Sequence, residues 1–221
     1  MLKRSVKLCA CLALAMLATA CATKPQQAYD YSAFKQSKPR SIVILPPVNN
    51  SPDVKASYSM LAQLSYPLAE AGYYVLPVAL VNETFKQNGL TSNEDIHAVD
   101  TKKIHDIFGA DAGMYVTITK YGTSYLLLDS QTVVTANAKL VDLKTGTVLW
   151  TGEASASNNE GGNNSGGGLV GALVAAAVKQ VLNTVSDAGY PIAGVTSNRL
   201  FSPARTNGLL YGPRSANYIK N

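Results

Sequence analysis

The chain has 221 residues, 47% of them hydrophobic and 15% charged, with a formal net charge of +5. That length fits one domain with appendages and supplies enough apolar material for a core. The charge is no argument for nucleic acid: Lys3, Arg4 and Lys7 sit in an N-terminal segment that carries no acid, and without those three cations the chain stands at +2.

Residues 1–20 read as a signal peptide, with the three cations ahead of an apolar run from Leu8 to Leu17. Ten apolar residues make about 15 Å of helix, half of a bilayer core, so the run is too short to span. The segment closes on Leu17-Ala18-Thr19-Ala20-Cys21. Small residues at Ala18 and Ala20 directly before a cysteine resemble a bacterial lipobox, which implies that Cys21 is the lipid-modified first residue of the mature protein. The pattern departs from the family preference at Ala18, where leucine is usual; Leu17 lies one step further back. Ala22 follows instead of aspartate, which among lipoproteins implies sorting to the outer membrane. More than one acyl chain, at about 0.8 kcal/mol per buried CH₂, anchors stably without protein contact. Cys9 and Cys11 leave with the signal, so Cys21 is the sole mature cysteine and no internal disulfide can form.

Residues 21–38 form a polar tether, residues 39–200 the expected α/β periplasmic domain, and residues 201–221 a basic, irregular C-terminal segment. Stretched out, the seventeen residues from Ala22 to Lys38 would reach about 55 to 60 Å. Tyr29, Tyr31 and Phe34 are spaced to dock the end of this tether on the domain. Ile42-Val43-Ile44-Leu45, stopped by Pro46 and Pro47, is a β-branched run of the kind buried on both faces of a sheet. Met60, Leu61, Leu64, Leu68 and Ala71 recur at helical spacing up to Gly72, with Pro67 expected to kink or restart the helix. Tyr73 to Leu76 is a second strand, and the strand–helix–strand unit implies a right-handed crossover.

Val78 to Gln87 reads as a helix ended by Asn88-Gly89. A further helix starts with Ser92 as cap and Asp95 three residues on; Ile96, Val99, Ile104, Ile107 and Phe108 are expected along one face up to Gly109. His97 and His105 fall about 12 Å apart on it, too far to share a metal ion, and read as surface histidines. From Asp111 the period changes to two. Met114, Val116 and Ile118, then Val134, Ala136, Ala138 and Leu140, then Val148 and Trp150 define three strands of an antiparallel meander with one apolar face. Gly122-Thr123-Ser124 is read as a bend in the first connection, and Asp142 to Gly146 as the tight second turn.

The hairpin phrase Leu140 to Trp150 resembles one shared by several periplasmic α/β domains: the N-terminal domain of the Tol-system β-propeller protein, the lipoprotein activators of penicillin-binding proteins and the curli-secretion lipoprotein. From the lipobox to the Gly-Leu-Leu-Tyr-Gly-Pro-Arg tail, including Ile42 to Pro47, Ala69 to Pro77 and Leu209 to Arg214, the chain resembles a family of uncharacterised bacterial lipoproteins. That resemblance implies a fold and a location, and no catalytic residues. The fold expected is α/β with an α+β tendency: a mixed sheet, parallel at its start and an antiparallel meander after it, with helices packed on it.

Asn158 to Gly168 is low in complexity and reads as a loop. Gly166, Gly168 and Gly171 with Asp187 imitate a dinucleotide fingerprint, but they follow an antiparallel hairpin where no strand would bring Asp187 to a ribose. No cofactor is expected. Leu169 to Leu182 is an apolar helix too short to span; its small residues Gly171, Ala172, Ala175 and Ala176 suit burial in the domain, the alternatives being a homodimer or partner interface and contact with a membrane surface. After Asp187 the chain carries no acid, only Arg199, Arg205, Arg214 and Lys220. This tail is expected to wrap the domain through Leu209, Leu210 and Tyr211, the alternative being charge contact with anionic lipid or polymer.

No catalytic constellation is present: the mature chain has no cysteine–histidine pair, no G-x-S-x-G elbow and only scattered carboxylates. No metal site is expected. The function expected is therefore a non-enzymatic outer-membrane lipoprotein, held by Cys21, that binds protein partners in envelope assembly or secretion. An accessory role in a curli-secretion-like complex is the alternative reading, and an envelope-polymer hydrolase the third.

Overall fold

The computed structural model describes residues 29–125, 130–160 and 187–220. In chain order these residues form α1 (Ser32–Ser37), β1 (Ser41–Ile44), β2 (Val48–Asn49), α2 (Ala56–Glu70), β3 (Tyr74–Val75), α3 (Val78–Gln87), α4 (Asn93–His97), α5 (Thr101–Phe108), β4 (Ala112–Tyr125), β5 (Ser130–Asp142), β6 (Val148–Ser157) and α6 (Gly189–Phe201), with a 3₁₀ turn at Tyr218–Lys220. Six strands make one mixed sheet in the order β3-β1-β4-β5-β6, with β2 continuing beside β4. The parallel start and antiparallel second half match the expected α/β plan: β1 runs parallel to β3 and β4, whereas β4, β5 and β6 are antiparallel neighbours.

Pro46 and Pro47 explain why β1 and β2 are separate. A proline offers no ladder N–H, so pairing lapses and resumes at Val48 opposite Thr117. Ile42, Val43, Ile44 and Leu45 are all fully buried, as a strand covered on both faces requires. One core packs Ile42, Ile44, Met114, Val116, Ile118, Leu140 and Trp150 under α2 and α6; a second, on the opposite face, packs Val43, Leu45, Tyr115 and Val141 under α3, α4 and α5.

Four local expectations are corrected. Pro67 does not restart the helix: α2 runs unbroken from Ala56 to Glu70 with Pro67 in its last turn. The helix expected from Ser92 to Gly109 is two helices: Asp100 accepts from the amides of Lys102 and Lys103 and so caps a fresh start. Gly122-Thr123-Ser124 is not a bend but lies within β4, paired with Val133, Thr132 and Gln131. Finally, Val148 is 48% exposed and Leu149 is buried, the reverse of the expected alternation. A register shift beside Leu140 and Val141 inserts Leu149 and reverses the parity there.

The helix α6 has no counterpart in the sequence reading. Pro191 falls in its first turn, where an N–H has no intrahelical partner to lose. Ile192, Ala193, Thr196, Leu200 and Phe201 then form a helical stripe fully buried in the first core. Asp187 fastens the start of α6, accepting from Ser59 Oγ at 2.9 Å, Tyr121 OH at 3.0 Å and the Gly189 amide at 2.9 Å.

Both ends of the described chain close on the domain. Phe34 is buried, Tyr31 donates to the Gly208 carbonyl, and the Tyr29 hydroxyl accepts from the Thr151 amide at 2.9 Å. Leu209 is fully buried, and Tyr73 donates to the Leu210 carbonyl. Gly212 N and Arg214 N donate to the carbonyls of Ala71 and Gly72. Gly72 is required there: its φ is +98°, and a Cβ would stand 2.4 Å from the Ser215 amide nitrogen.

Candidate functional site

The two faces of β4, β5 and β6 differ. Residues on one face enter the first core. On the other, cross-strand register sets out two rows, Tyr115–Lys139–Thr151 and Thr117–Asn137–Glu153. These six side chains, with His97 and the backbone around Ala138 and Gly152, line an open groove of about 560 Å³. Among the described residues, α3, α4 and α5 cover only the parallel end of this face, which leaves the groove open.

His97 closes the groove at its covered end. Its Nε2 donates to the Pro46 carbonyl at 3.0 Å, and its ring stands edge-on to Tyr115 with centroids 5.2 Å apart. Burial pulls its pKa below the ordinary histidine value, and the Lys139 charge adds to this; the Pro46 carbonyl and Glu94 act in the opposite sense. The neutral ring, with Nε2 protonated, therefore keeps Nδ1 as an acceptor. Lys139 Nζ stands 4.9 Å from the centroid of the Tyr115 ring, within cation–π range. Burial, with the Asp100 charge second, pushes the Tyr115 hydroxyl above its usual range, so it stays protonated at neutral pH. The groove thus offers one cation, one carboxylate, hydroxyls, an amide and aromatic surface. That set suits recognition by hydrogen bonds.

Neither histidine is the plain surface residue expected. His97 and His105 are half-buried, and His105 Nδ1 lies 2.7 Å from the Ala110 carbonyl. Among the described residues no group of three metal-ligating side chains is gathered, and no helix is long and apolar enough to cross a membrane. The basic tail is placed in part along the outer edge of β6, the last strand among the described residues: Arg199 Nη1 donates to the Ser155 carbonyl at 2.8 Å and Arg205 Nη1 to that of Glu153 at 3.1 Å. Arg199 also pairs with Glu160. Arg214 instead lies over the Tyr74 ring, 5.0 Å from its centroid.

Cys21, the Gly166–Gly171 fingerprint and the candidate interface at Gly171, Ala172, Ala175 and Ala176 lie outside the described residues. The groove was missed in the sequence although its parts were visible: Tyr115, Thr117, Asn137, Lys139 and Thr151 are the polar halves of the alternating strands. What alternation lacks is register, and nothing local tells that His97 reaches them.

Fold and groove together define a mixed-sheet α/β domain with one open polar sheet face. The chain belongs to the family described as "Putative lipoprotein GNA1162-like", whose model matches residues 29–214. It is 52% identical over 203 residues to the "Putative lipoprotein NMB1124/NMB1162" of Neisseria meningitidis serogroup B, covering 92% of this chain and 94% of that protein. It is similar to the crystal structure of lipoprotein GNA1162 from Neisseria meningitidis, with 56% identity and a TM-score of 0.54 over 66% of this chain and all of that one. A more distant likeness, at 18% identity and a TM-score of 0.38, is to the LpoB C-terminal domain from Salmonella enterica, over 52% of this chain and 81% of that one. The family description names a lipoprotein and no catalytic activity.

Proposed function

We propose that this protein is an outer-membrane lipoprotein, anchored through acyl chains on Cys21, whose domain faces the periplasm and binds protein partners in envelope assembly or secretion without catalysing a reaction. The observation that carries the reading is positional: a domain belonging to a lipoprotein family from Tyr29 to Arg214 stands directly behind the lipobox-like Leu17 to Cys21. The groove supports the binding part, since its hydroxyls, amide, lysine and glutamate are spread over three rigid strands as recognition groups rather than gathered as a nucleophile and base. A partner engages that face, and the expected helix over 169–182, with Gly171, Ala172, Ala175 and Ala176, is a second candidate surface for a partner or another copy.

Labelling cells with palmitate, with and without globomycin, and with Cys21→Ser, tests the anchor. Label on the wild-type protein, absent from the variant, is expected; an unlabelled soluble mature protein overturns it. Crosslinking in the same cells then reads the second half of the proposal. Adducts with other envelope proteins are expected, a product of twice the chain's mass identifies a second copy, and the monomer alone overturns partner binding.

A further inference from the structure

Strand β6 offers two outward carbonyls to two arginines. The Glu153 carbonyl accepts from Arg205 Nη1 at 3.1 Å, and the Ser155 carbonyl from Arg199 Nη1 at 2.8 Å. Arg205 Nη1 also donates to the Arg199 carbonyl at 3.1 Å. That carbonyl lies in the last turn of α6 and has no helical donor, because the residue four places on is Pro203. Arg199 Nη1 pairs in addition with Glu160. Each guanidinium is thus pinned through Nη1 alone. Nε and Nη2 keep their N–H groups, and among the described residues these have no acceptor.

The spacing of the two forks is set by the strand. Carbonyls two residues apart lie about 7 Å apart, so the guanidiniums bonded to them stand at about that separation. Between them is a cleft of about 410 Å³, lined by Glu153, Ala154, Ser155, Arg199, Ser202 and Arg205. A tetrahedral oxyanion accepting a charge-assisted bond of about 2.8 Å from each side fills a gap of that width. It also turns oxygens toward both forks at once, which a single planar carboxylate does not. We propose that this cleft binds a phosphate group between Arg199 and Arg205. The site is distinct from the groove on the open sheet face, and it depends on neither the anchor nor the partner binding proposed above.

Two carboxylates lie nearby, and neither blocks the site. Glu153 presents its carbonyl here, while its side chain stands in the groove row opposite Asn137. Glu160 does compete for Arg199, but the two side chains are 40% and 42% exposed, and an ion pair so open to water is weak. A phosphate that engages both arginines displaces Glu160 from one of them. Ser202 adds a hydroxyl to the wall of the cleft.

The test is calorimetric titration of the mature chain, purified in a nonionic detergent. Two probes are used at millimolar concentration: inorganic phosphate, and glycerophosphoglycerol, the deacylated headgroup of phosphatidylglycerol. Saturable binding of at least one is expected, weakened at least about tenfold by Arg199→Gln or Arg205→Gln as charge-assisted bonds are lost. Arg214→Gln removes the same charge beside Tyr74 and should leave the affinity unchanged. Glu160→Gln removes the competitor and should tighten binding about threefold. That variant keeps both arginines, so it carries the test if an arginine variant fails to fold. Binding of glycerophosphoglycerol with this arginine dependence identifies a lipid phosphodiester as the source; binding of inorganic phosphate alone identifies the free ion. No saturable heat with either probe overturns the site. So does an equal loss in Arg214→Gln, or an affinity that Glu160→Gln leaves unchanged.

Discussion

The two faces of the β4–β6 meander are built from the same three strands and have opposite fates. Met114, Val116, Ile118, Val134, Ala136, Leu140, Trp150 and Ala156 are sealed under α2 and α6. Their sequence neighbours Tyr115, Thr117, Asn137, Lys139, Thr151 and Glu153 line an open groove. The sealed face carries the burial that holds the domain together; the open face leaves its polar groups accessible. Alternation lets one strand do both, since successive side chains point to opposite sides.

The strongest way to break the sealed face is Trp150→Ala. Its side chain is fully buried, stacks near Phe201 at 6.2 Å and donates from Nε1 to the Asn207 carbonyl at 3.1 Å. Loss of the ring should cost about 3–5 kcal/mol in urea unfolding, and should release the C-terminal segment to proteolysis. A loss below about 1 kcal/mol would mean that the pocket is not part of the core.

A smaller effect should come from acid, at the border of the two faces. His97 is held neutral by burial and by Lys139, so its pKa is depressed in the fold. As pH falls below about 6.5 the unfolded chain takes up this proton before the folded one does. The stabilisation is therefore complete above that pH and is lost as pH falls toward the folded value. Urea midpoints at neutral and mildly acid pH should drop more for the wild type than for His97→Gln; parallel curves would refute it. On the open face the effect should be smallest. Asn137→Ala removes an exposed amide and should change stability by no more than about 0.5 kcal/mol, while weakening partner crosslinks. A loss of stability instead would assign this face to the core.

Much of the architecture was legible because it rests on local signals. The β-branched run before Pro46, the helix at Val78–Gln87 and the switch to period two each lie in consecutive residues. The errors fell where a neighbour decides. Leu149 displaces Val148 from the core because β5 pairs across a shifted register. Gly122-Thr123-Ser124 stays in β4 because β5 pairs with it through Val133, Thr132 and Gln131. The α6 helix, with Pro191 and few strong helix formers, owes its existence to the sheet and α2 that its buried stripe meets.

By itself the sequence determined the class of the domain, its mixed sheet and the apolar period along Met114 to Ile118 and Val134 to Leu140, and it put a lipobox-like cysteine ahead of all of them. Those features depend on residues within a few positions of one another. Only the tertiary structure decided that polar halves of three strands and a distant histidine make one groove, and that Tyr29 and the basic tail seal the same sheet edge. Register, parity and edge capping are properties of paired strands, and pairing joins residues that the chain keeps far apart.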